Sequence, residues 1–188
     1  MVYACFNRAH KLDPLTFDLW LSILQQVPAS VLWLIQESPL VQQRLHTRAA
    51  ATGLNPDRIV FTPKVPSAEF KNLCSLADLF LDTTYYGGGA TTVAALHAGL
   101  PLLTRPGETF SSRMGASLCA ATGLQELICD SEQAYLDKAV ELGRNPDRLM
   151  QLRLGLLEQQ AGLSLFNTVG WVYQLENLLW GLVRTSGG

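Results

Sequence analysis

The sequence predicts an α/β fold, a doubly wound parallel sheet of Rossmann-like type with further helices at its C-terminal end. Short apolar runs alternate with helical patterns as far as Thr122. Strands buried on both faces form such continuous apolar runs, and their alternation with helices favours right-handed crossovers between parallel strands. Ligands bind beyond the carboxyl ends of the strands in such sheets, so the loops at that edge are where a site is expected.

Five apolar runs are predicted strands, and the helices between them have recognisable ends. The strands are residues 2–6, 31–35, 59–61, 79–81 and 101–104. The first helix begins where Asp13 precedes a proline at the first helical position, and the second begins at Ser38-Pro39. Ser67 is predicted to cap the third helix, and Gly99 to end the fourth.

The C-terminal part is helical, with segments at residues 131–142, 146–160 and 167–183. The last segment has a wide apolar face. We therefore divide the chain into a lobe of residues 1–165 and a C-terminal amphipathic helix within residues 166–188. This helix either packs on the lobe or crosses to a neighbouring domain. Because Met1 is followed at once by the first strand, we expect the second half of a larger protein or a short gene product descended from one.

Composition narrows the class of protein. The 188 residues are 48% hydrophobic, enough for one sizeable core. With a net charge of −2, the chain has no excess positive charge to favour binding to nucleic acid or to an anionic membrane. No apolar run approaches the roughly 18 residues of a membrane span. Four widely spaced cysteines without a CxxC pair indicate buried, reduced thiols in a cytoplasmic protein and no zinc site.

The most informative segment is residues 79–99, in which a short strand is followed by three glycines and a helix. Gly87, Gly88 and Gly89 precede Thr91 and Thr92 at the start of that helix. A helix N-terminus presents unpaired N–H groups to an anion, and glycine lets a ligand approach the backbone closely. The alternatives are a tight turn without a ligand, with the threonines serving as helix caps.

Two further loops follow strands on the same edge, which favours a ligand site there. Lys11 and Arg8, in the loop 7–11, can supply positive charge to a phosphate. Glu108 and Thr109, in the loop 105–109, are second candidates. Among the histidines only His10 lies in such a loop. The sequence contains no GxSxG, HExxH or P-loop lysine motif.

Several ordered motifs resemble one family. They are Phe6-Asn-Arg-Ala-His-Lys11-Leu-Asp-Pro14, Asn55-Pro-Asp-Arg-Ile-Val-Phe61, Ala77-Asp-Leu-Phe-Leu-Asp-Thr83 and Leu103-Thr-Arg-Pro-Gly-Glu-Thr109. The sequence is similar to the C-terminal catalytic half of the O-linked N-acetylglucosamine transferase / SPINDLY-like glycosyltransferases. The resemblance implies one lobe of the two-lobed GT-B fold, often preceded by tetratricopeptide repeats. That lobe binds the nucleotide diphosphate of a donor sugar without a metal.

The resemblance also implies roles for individual residues. Lys11 looks like the family lysine that contacts the donor diphosphate, and Arg8 occupies a polar position near the nucleotide. The backbone around Val65 resembles the segment that reads the base edge. Thr91, with Thr92 beside it, resembles the threonines that meet the phosphates.

Four positions depart from the family pattern. Gly89 stands where well-known members have a histidine, and Ala94 where they carry an acidic residue suited to the ribose hydroxyls. A lysine and a histidine of the family appear here as Ser67 and Phe70. These departures concern the nucleotide, so they bear on its affinity and on which base is recognised.

We therefore expect the donor-binding lobe of a metal-independent, inverting protein O-glycosyltransferase. The donor is a UDP-GlcNAc-like nucleotide sugar, the acceptor is a protein Ser/Thr, and no cofactor is needed. The expected partner is an N-terminal GT-B lobe or a tetratricopeptide-repeat region. One alternative is a degenerate, non-catalytic module that binds a nucleotide or a protein. A GT-B-related sugar-nucleotide epimerase agrees less well with the motifs.

Overall fold

A five-stranded, entirely parallel sheet forms the centre of the chain in a computed structural model that describes residues 1–185. The strands are β1 (Val2–Cys5), β2 (Val31–Ile35), β3 (Ile59–Thr62), β4 (Leu79–Leu81) and β5 (Leu102–Leu103). Their order across the sheet is β3-β2-β1-β4-β5. The predicted doubly wound α/β fold is confirmed.

Eight α-helices connect or follow these strands within residues 1–185. They are α1 (Pro14–Gln26), α2 (Pro39–Ala51), α3 (Ser67–Ser75), α4 (Ala90–His97), α5 (Phe110–Ala121), α6 (Glu132–Gly143), α7 (Pro146–Gln159) and α8 (Thr168–Thr185). The predicted cap Asp13 accepts a hydrogen bond from Thr16 N at 3.0 Å. Ser67 is instead the first residue of α3, and Pro66 occupies the N-cap position.

The strand order creates a switch point between β1 and β4. The chain builds outward from β1 through β2 to β3, then returns to the other side of β1 for β4 and β5. Connections that leave β1 and β4 in opposite directions open a crevice at their carboxyl ends. The loop that contains Lys11 follows β1, and the glycine-rich loop follows β4, so both border this crevice.

The core fills both faces of the sheet with apolar side chains. On one face α1 packs against α6, where Trp20 and Tyr135 are fully buried. Trp20 Nε1 donates to Tyr135 Oη at 3.3 Å, and that hydroxyl donates to the main-chain oxygen of Asp82 at 3.3 Å. These two hydrogen bonds connect the helical layer directly to the end of β4. The four cysteines are buried and free, as predicted.

The C-terminal helix α8 carries apolar side chains that are largely exposed. Trp171 is 59% exposed and Trp180 is 62% exposed. The helix contacts the short 3-10 turn Ser164–Phe166 at the edge of the lobe. Residues 186–188 of the predicted C-terminal segment lie outside the described residues. Within residues 1–185, no helix is both long enough and apolar enough to cross a membrane.

Candidate functional site

The segment between β4 and α4, residues 82–89, forms what we call the glycine loop. Gly87 and Gly88 are buried, and Gly89 is the N-cap residue of α4. A Cβ atom on Gly88 would overlap Thr92 Oγ1 and lie 2.8 Å from Asn7 Oδ1. A Cβ on Gly87 would lie 2.9 Å from the main-chain oxygen of Ser111. These two positions need glycine because neighbouring elements approach the loop backbone so closely.

The two predicted threonines occupy different environments, and neither is the helix cap. Thr91 is half-buried and borders a cavity at the start of α4. Thr92 is fully buried beneath Gly88, and its hydroxyl has no hydrogen-bond partner within residues 1–185. The cap interpretation is wrong because Gly89 precedes both residues at the N-cap. Thr91 is thus the threonine whose position suits contact with a ligand.

Lys11 lies against the glycine loop, as the convergence of the two loops predicts. It ends the 3-10 turn Ala9–Lys11, and its Nζ donates to the main-chain oxygen of Gly87 at 3.0 Å. The same Nζ lies 4.2 Å from the centroid of the Tyr86 ring. An ammonium group has three donors, so two N–H bonds of Lys11 remain for a ligand.

A cavity of about 350 Å³ opens beside the glycine loop, above the ends of β1 and β2. We call it the Val65 cavity; its lining includes Phe6, Arg8, Ile35, Lys64, Val65, Ser67, Phe70, Ala90, Thr91 and Ala94. The structure therefore brings together Arg8, Val65 and Thr91, three residues that the sequence predicts for one site. Its charged lining residues are both cations, Arg8 and Lys64, which suits an anionic ligand.

Glu108 lies elsewhere. It borders a second cavity of about 330 Å³ on the β5 side of the glycine loop, which we call the Glu108 cavity. Asp13, Thr84, Arg105 and Thr109 also line this cavity. The structure does not place Glu108 with Arg8, Val65 and Thr91, because the loop that follows β5 lies on the opposite side of the glycine loop from β2.

Arg8 is held at the rim of the Val65 cavity by an acidic partner. Its Nε donates to Glu37 Oε1 at 3.0 Å, and the same carboxylate accepts from Ala9 N at 3.2 Å. The Arg8 side chain is 59% exposed, so this ion pair is screened by solvent and contributes little stability. The pair orients the guanidinium at the cavity mouth and partly offsets its charge.

The three histidines lie in separate surroundings. His46 Nε2 lies 3.1 Å from the main-chain oxygen of Ile59, and His97 packs edge-on against Phe166. His10 is exposed and lies edge-on to Tyr86, 6.4 Å between ring centroids. In the described part of the chain, no group of three or more His, Cys, Asp or Glu side chains is arranged to hold a metal ion.

Asp82 is the residue that sequence reasoning passed over. Its carboxylate is buried at the end of β4, where Oδ1 accepts from Gly88 N at 2.8 Å and Oδ2 accepts from Thr104 Oγ1 at 3.0 Å. Burial raises the pKa of this carboxyl from 3.8 to about 6, although the hydrogen bonds favour the charged form. A carboxylate ending a buried strand just before glycines was the available signal.

Comparison with known proteins identifies the family. A model described as Glycosyl transferase family 41 matches residues 1–175. The chain belongs to glycosyl transferase family 41. A probable UDP-N-acetylglucosamine–peptide N-acetylglucosaminyltransferase of Arabidopsis thaliana is 39% identical over 176 residues, which cover 93% of this chain and 18% of the relative.

Two further similar proteins agree with this assignment. The UDP-N-acetylglucosamine–peptide N-acetylglucosaminyltransferase of Caenorhabditis elegans is 34% identical over 179 residues, 95% of this chain and 16% of the relative. A solved mutant of the Thermobaculum terrenum O-GlcNAc transferase superposes with a TM-score of 0.88 at 31% identity, covering 95% of this chain and 35% of that one. The chain therefore spans less than a fifth of the Arabidopsis and Caenorhabditis relatives and 35% of the Thermobaculum chain, and its fold is that of one lobe of a GT-B glycosyltransferase.

The contact between Gly88 and Thr92 yields a first prediction. Gly88→Ala should destabilise the fold by about 1–3 kcal/mol, because the new methyl group must displace Thr92 or the loop. Gly155→Ala is the control, since a Cβ on this glycine of α7 has no atom within 4 Å and the position lies outside the glycine loop. Urea unfolding of both variants measures the difference. Equal stability of the two variants would contradict the proposed packing of the loop.

The buried carboxyl yields a second prediction, about pH. Because the pKa of Asp82 is raised in the folded state, the folded chain binds more protons than the unfolded chain between about pH 4 and pH 6. This residue's contribution to the free energy of unfolding therefore falls as pH rises through that window. It is constant below and above the window.

Asp82→Asn has no titrating carboxyl at this position, so the difference in stability between the wild type and this variant measures the contribution of Asp82. The stability of the wild type relative to this variant should fall by roughly 2–3 kcal/mol between pH 4 and pH 6, the equivalent of about two pKa units. Urea unfolding of both chains across that range provides the difference at each pH, in which the other carboxyl groups cancel. Parallel stability curves for the two chains would contradict the raised pKa.

Proposed function

We propose that this chain is the donor-binding lobe of a metal-independent, inverting protein O-glycosyltransferase that uses a UDP-GlcNAc-like nucleotide sugar. The main support is that the Val65 cavity extends to the start of α4, while Lys11, which does not line the cavity, lies against the glycine loop that leads into the same helix. A cavity for a nucleoside then adjoins donors for a diphosphate at the switch point of the sheet. The names of the Arabidopsis and Caenorhabditis relatives suggest the donor and the peptide acceptor.

The diphosphate would lie between Lys11 and the N-terminus of α4. Lys11 offers two free N–H donors and a full positive charge, and the first turn of α4 offers main-chain N–H groups near Thr91. In an inverting transfer, the acceptor oxygen attacks the anomeric carbon while the diphosphate leaves from the opposite face. Negative charge grows on the departing diphosphate, so groups that already face it lower the barrier. Lys11 would supply the charge that a metal supplies in other enzymes.

The nucleoside would occupy the Val65 cavity. Phe6 and Phe70 provide apolar surface for the base, and the main chain around Val65 provides polar groups for its edge. Ala94, at the position of the family's acidic residue, offers no carboxylate to the ribose. The affinity of this site would therefore depend more on the diphosphate and the aromatic surface than on the ribose hydroxyls.

The acceptor and the second lobe come from outside the described structure in this proposal. No carboxylate lines the Val65 cavity among the described residues, so the base that takes the Ser/Thr proton would belong to an N-terminal lobe or a repeat region. The exposed apolar side chains of α8, including Trp171 and Trp180, would face that partner. Four free, buried cysteines favour a cytoplasmic location.

A non-catalytic module derived from the same lobe is the second candidate. Ser67, Phe70 and Ala94 favour it, because all three replace polar family residues within the Val65 cavity. Lys11 and the glycine loop argue against it, since a module that no longer binds a nucleotide does not need a lysine beside a helix N-terminus. Binding of a nucleotide diphosphate discriminates between a functional donor site and a module that binds only a protein.

Substitution of Lys11 tests the proposed function. UDP should bind the wild-type chain in the presence of EDTA, and Lys11→Met should weaken that binding about ten- to a hundredfold, as expected for a charged hydrogen bond to phosphate. Lys71→Met is the matched control, because Lys71 is an exposed lysine of α3 that lines neither cavity. Isothermal titration calorimetry measures the three dissociation constants, and GDP in place of UDP tests the base.

Two results would contradict the proposal. Equal affinity of the wild type and Lys11→Met for UDP would remove Lys11 from the phosphate site. Absence of UDP and GDP binding by a folded wild-type chain would favour the non-catalytic module.

A further inference from the structure

Tyr86 and Gly87, two consecutive residues of the glycine loop, both contact the ammonium group of Lys11. The Tyr86 ring centroid lies 4.2 Å from Lys11 Nζ, and the Gly87 oxygen accepts its hydrogen bond at 3.0 Å. No carboxylate within residues 1–185 forms an ion pair with Lys11. The lysine is thus held by one carbonyl and one aromatic face.

We propose that Tyr86 is a positioning residue for Lys11, an inference that rests on the proposed role of Lys11 as a diphosphate ligand. A cation above an aromatic face is attracted to the ring without losing any of its N–H donors. A carboxylate in the same place would also hold the lysine, but it would cancel the charge and compete with the phosphate. The ring fixes the ammonium and leaves its charge available.

Tyr86 is itself fixed by its surroundings. Its main-chain oxygen accepts a hydrogen bond from Thr83 Oγ1 at 2.6 Å, and the Thr83 hydroxyl in turn accepts from Asn7 Nδ2 at 3.0 Å. The His10 ring packs edge-on to the Tyr86 ring. A lysine side chain has many rotamers in solution, so a pre-set ring reduces the entropy lost when Lys11 binds a phosphate.

The chemistry separates this role from a direct contact between Tyr86 and the ligand. Positioning of Lys11 needs the aromatic ring, which Phe retains. A hydrogen bond from Tyr86 to the donor needs the hydroxyl, which Phe lacks. Tyr86→Phe therefore discriminates between the two roles, and Tyr86→Leu removes both the ring and the hydroxyl.

The binding experiment is a double-mutant cycle with UDP as the probe. Tyr86→Leu should weaken UDP binding about two- to fivefold in the wild-type background, as expected for a cation–π contact at a half-exposed site. The same substitution should have no effect in the Lys11→Met background. Tyr86→Phe in the wild-type background should keep the wild-type affinity for UDP. Tyr85→Leu is the control, since Tyr85 is 76% exposed and, among the described residues, the cation–π contact of Lys11 is with the Tyr86 ring.

A second readout requires no ligand. A ring 4.2 Å from Lys11 Nζ shifts the nearby ε-methylene proton signals of Lys11 upfield in the NMR spectrum. This shift should persist in Tyr86→Phe and disappear in Tyr86→Leu, while Tyr85→Leu should leave it unchanged.

The outcomes distinguish this inference from the proposed function. Equal weakening by Tyr86→Leu in both backgrounds, loss of affinity in Tyr86→Phe, or no upfield shift in the wild type would each overturn the positioning role. Failure of the wild-type chain to bind UDP would instead overturn the proposed function, and with it any part of Tyr86 in binding.

Discussion

The arrangement of the site depends on one buried carboxylate, Asp82, at the end of β4. Its hydrogen bonds join the glycine loop, through Gly88, to the end of β5, through Thr104. Helix α5 can approach only because Gly115 has no side chain, since a Cβ there would overlap the carboxylate. A buried anion without a cation is costly, and here main-chain and hydroxyl donors offset that cost. Without these hydrogen bonds, the glycine loop would no longer be held to the ends of β4 and β5.

The position of the glycine loop determines the rest of the candidate site. Once the loop is fixed, the Gly87 oxygen and the Tyr86 ring define where the Lys11 ammonium lies. The same loop separates the cationic Val65 cavity from the Glu108 cavity, so the two sides of the loop differ in charge. Family 41 membership and this geometry lead to the same proposal, in which a nucleotide diphosphate spans the start of α4.

The sequence predicted the sheet and the convergence of the loops because carboxyl ends of parallel strands share one edge. Local patterns do not report the order of strands in a sheet. The sequence therefore predicts Glu108 in one site with Arg8, Val65 and Thr91, whereas β4 and its loop separate Glu108 from them. Gly89 occupies the N-cap of α4 that the sequence offered to Thr91. The spacing of apolar residues in a helix does not report at which residue the helix begins, so the pattern could not distinguish the two positions. The contact of Tyr86 with Lys11 joins distant parts of the chain, and no spacing rule reports such contacts.

We propose that the Val65 cavity and the glycine loop form the donor site and that the Glu108 cavity does not. Titration of the ¹⁵N-labelled chain with UDP in the presence of EDTA, followed by amide NMR shifts, distinguishes between the two cavities. We expect the largest changes at Lys11, Val65, Gly87 and Thr91, with small changes at Glu108. Changes concentrated around Glu108, or none at all, would contradict it.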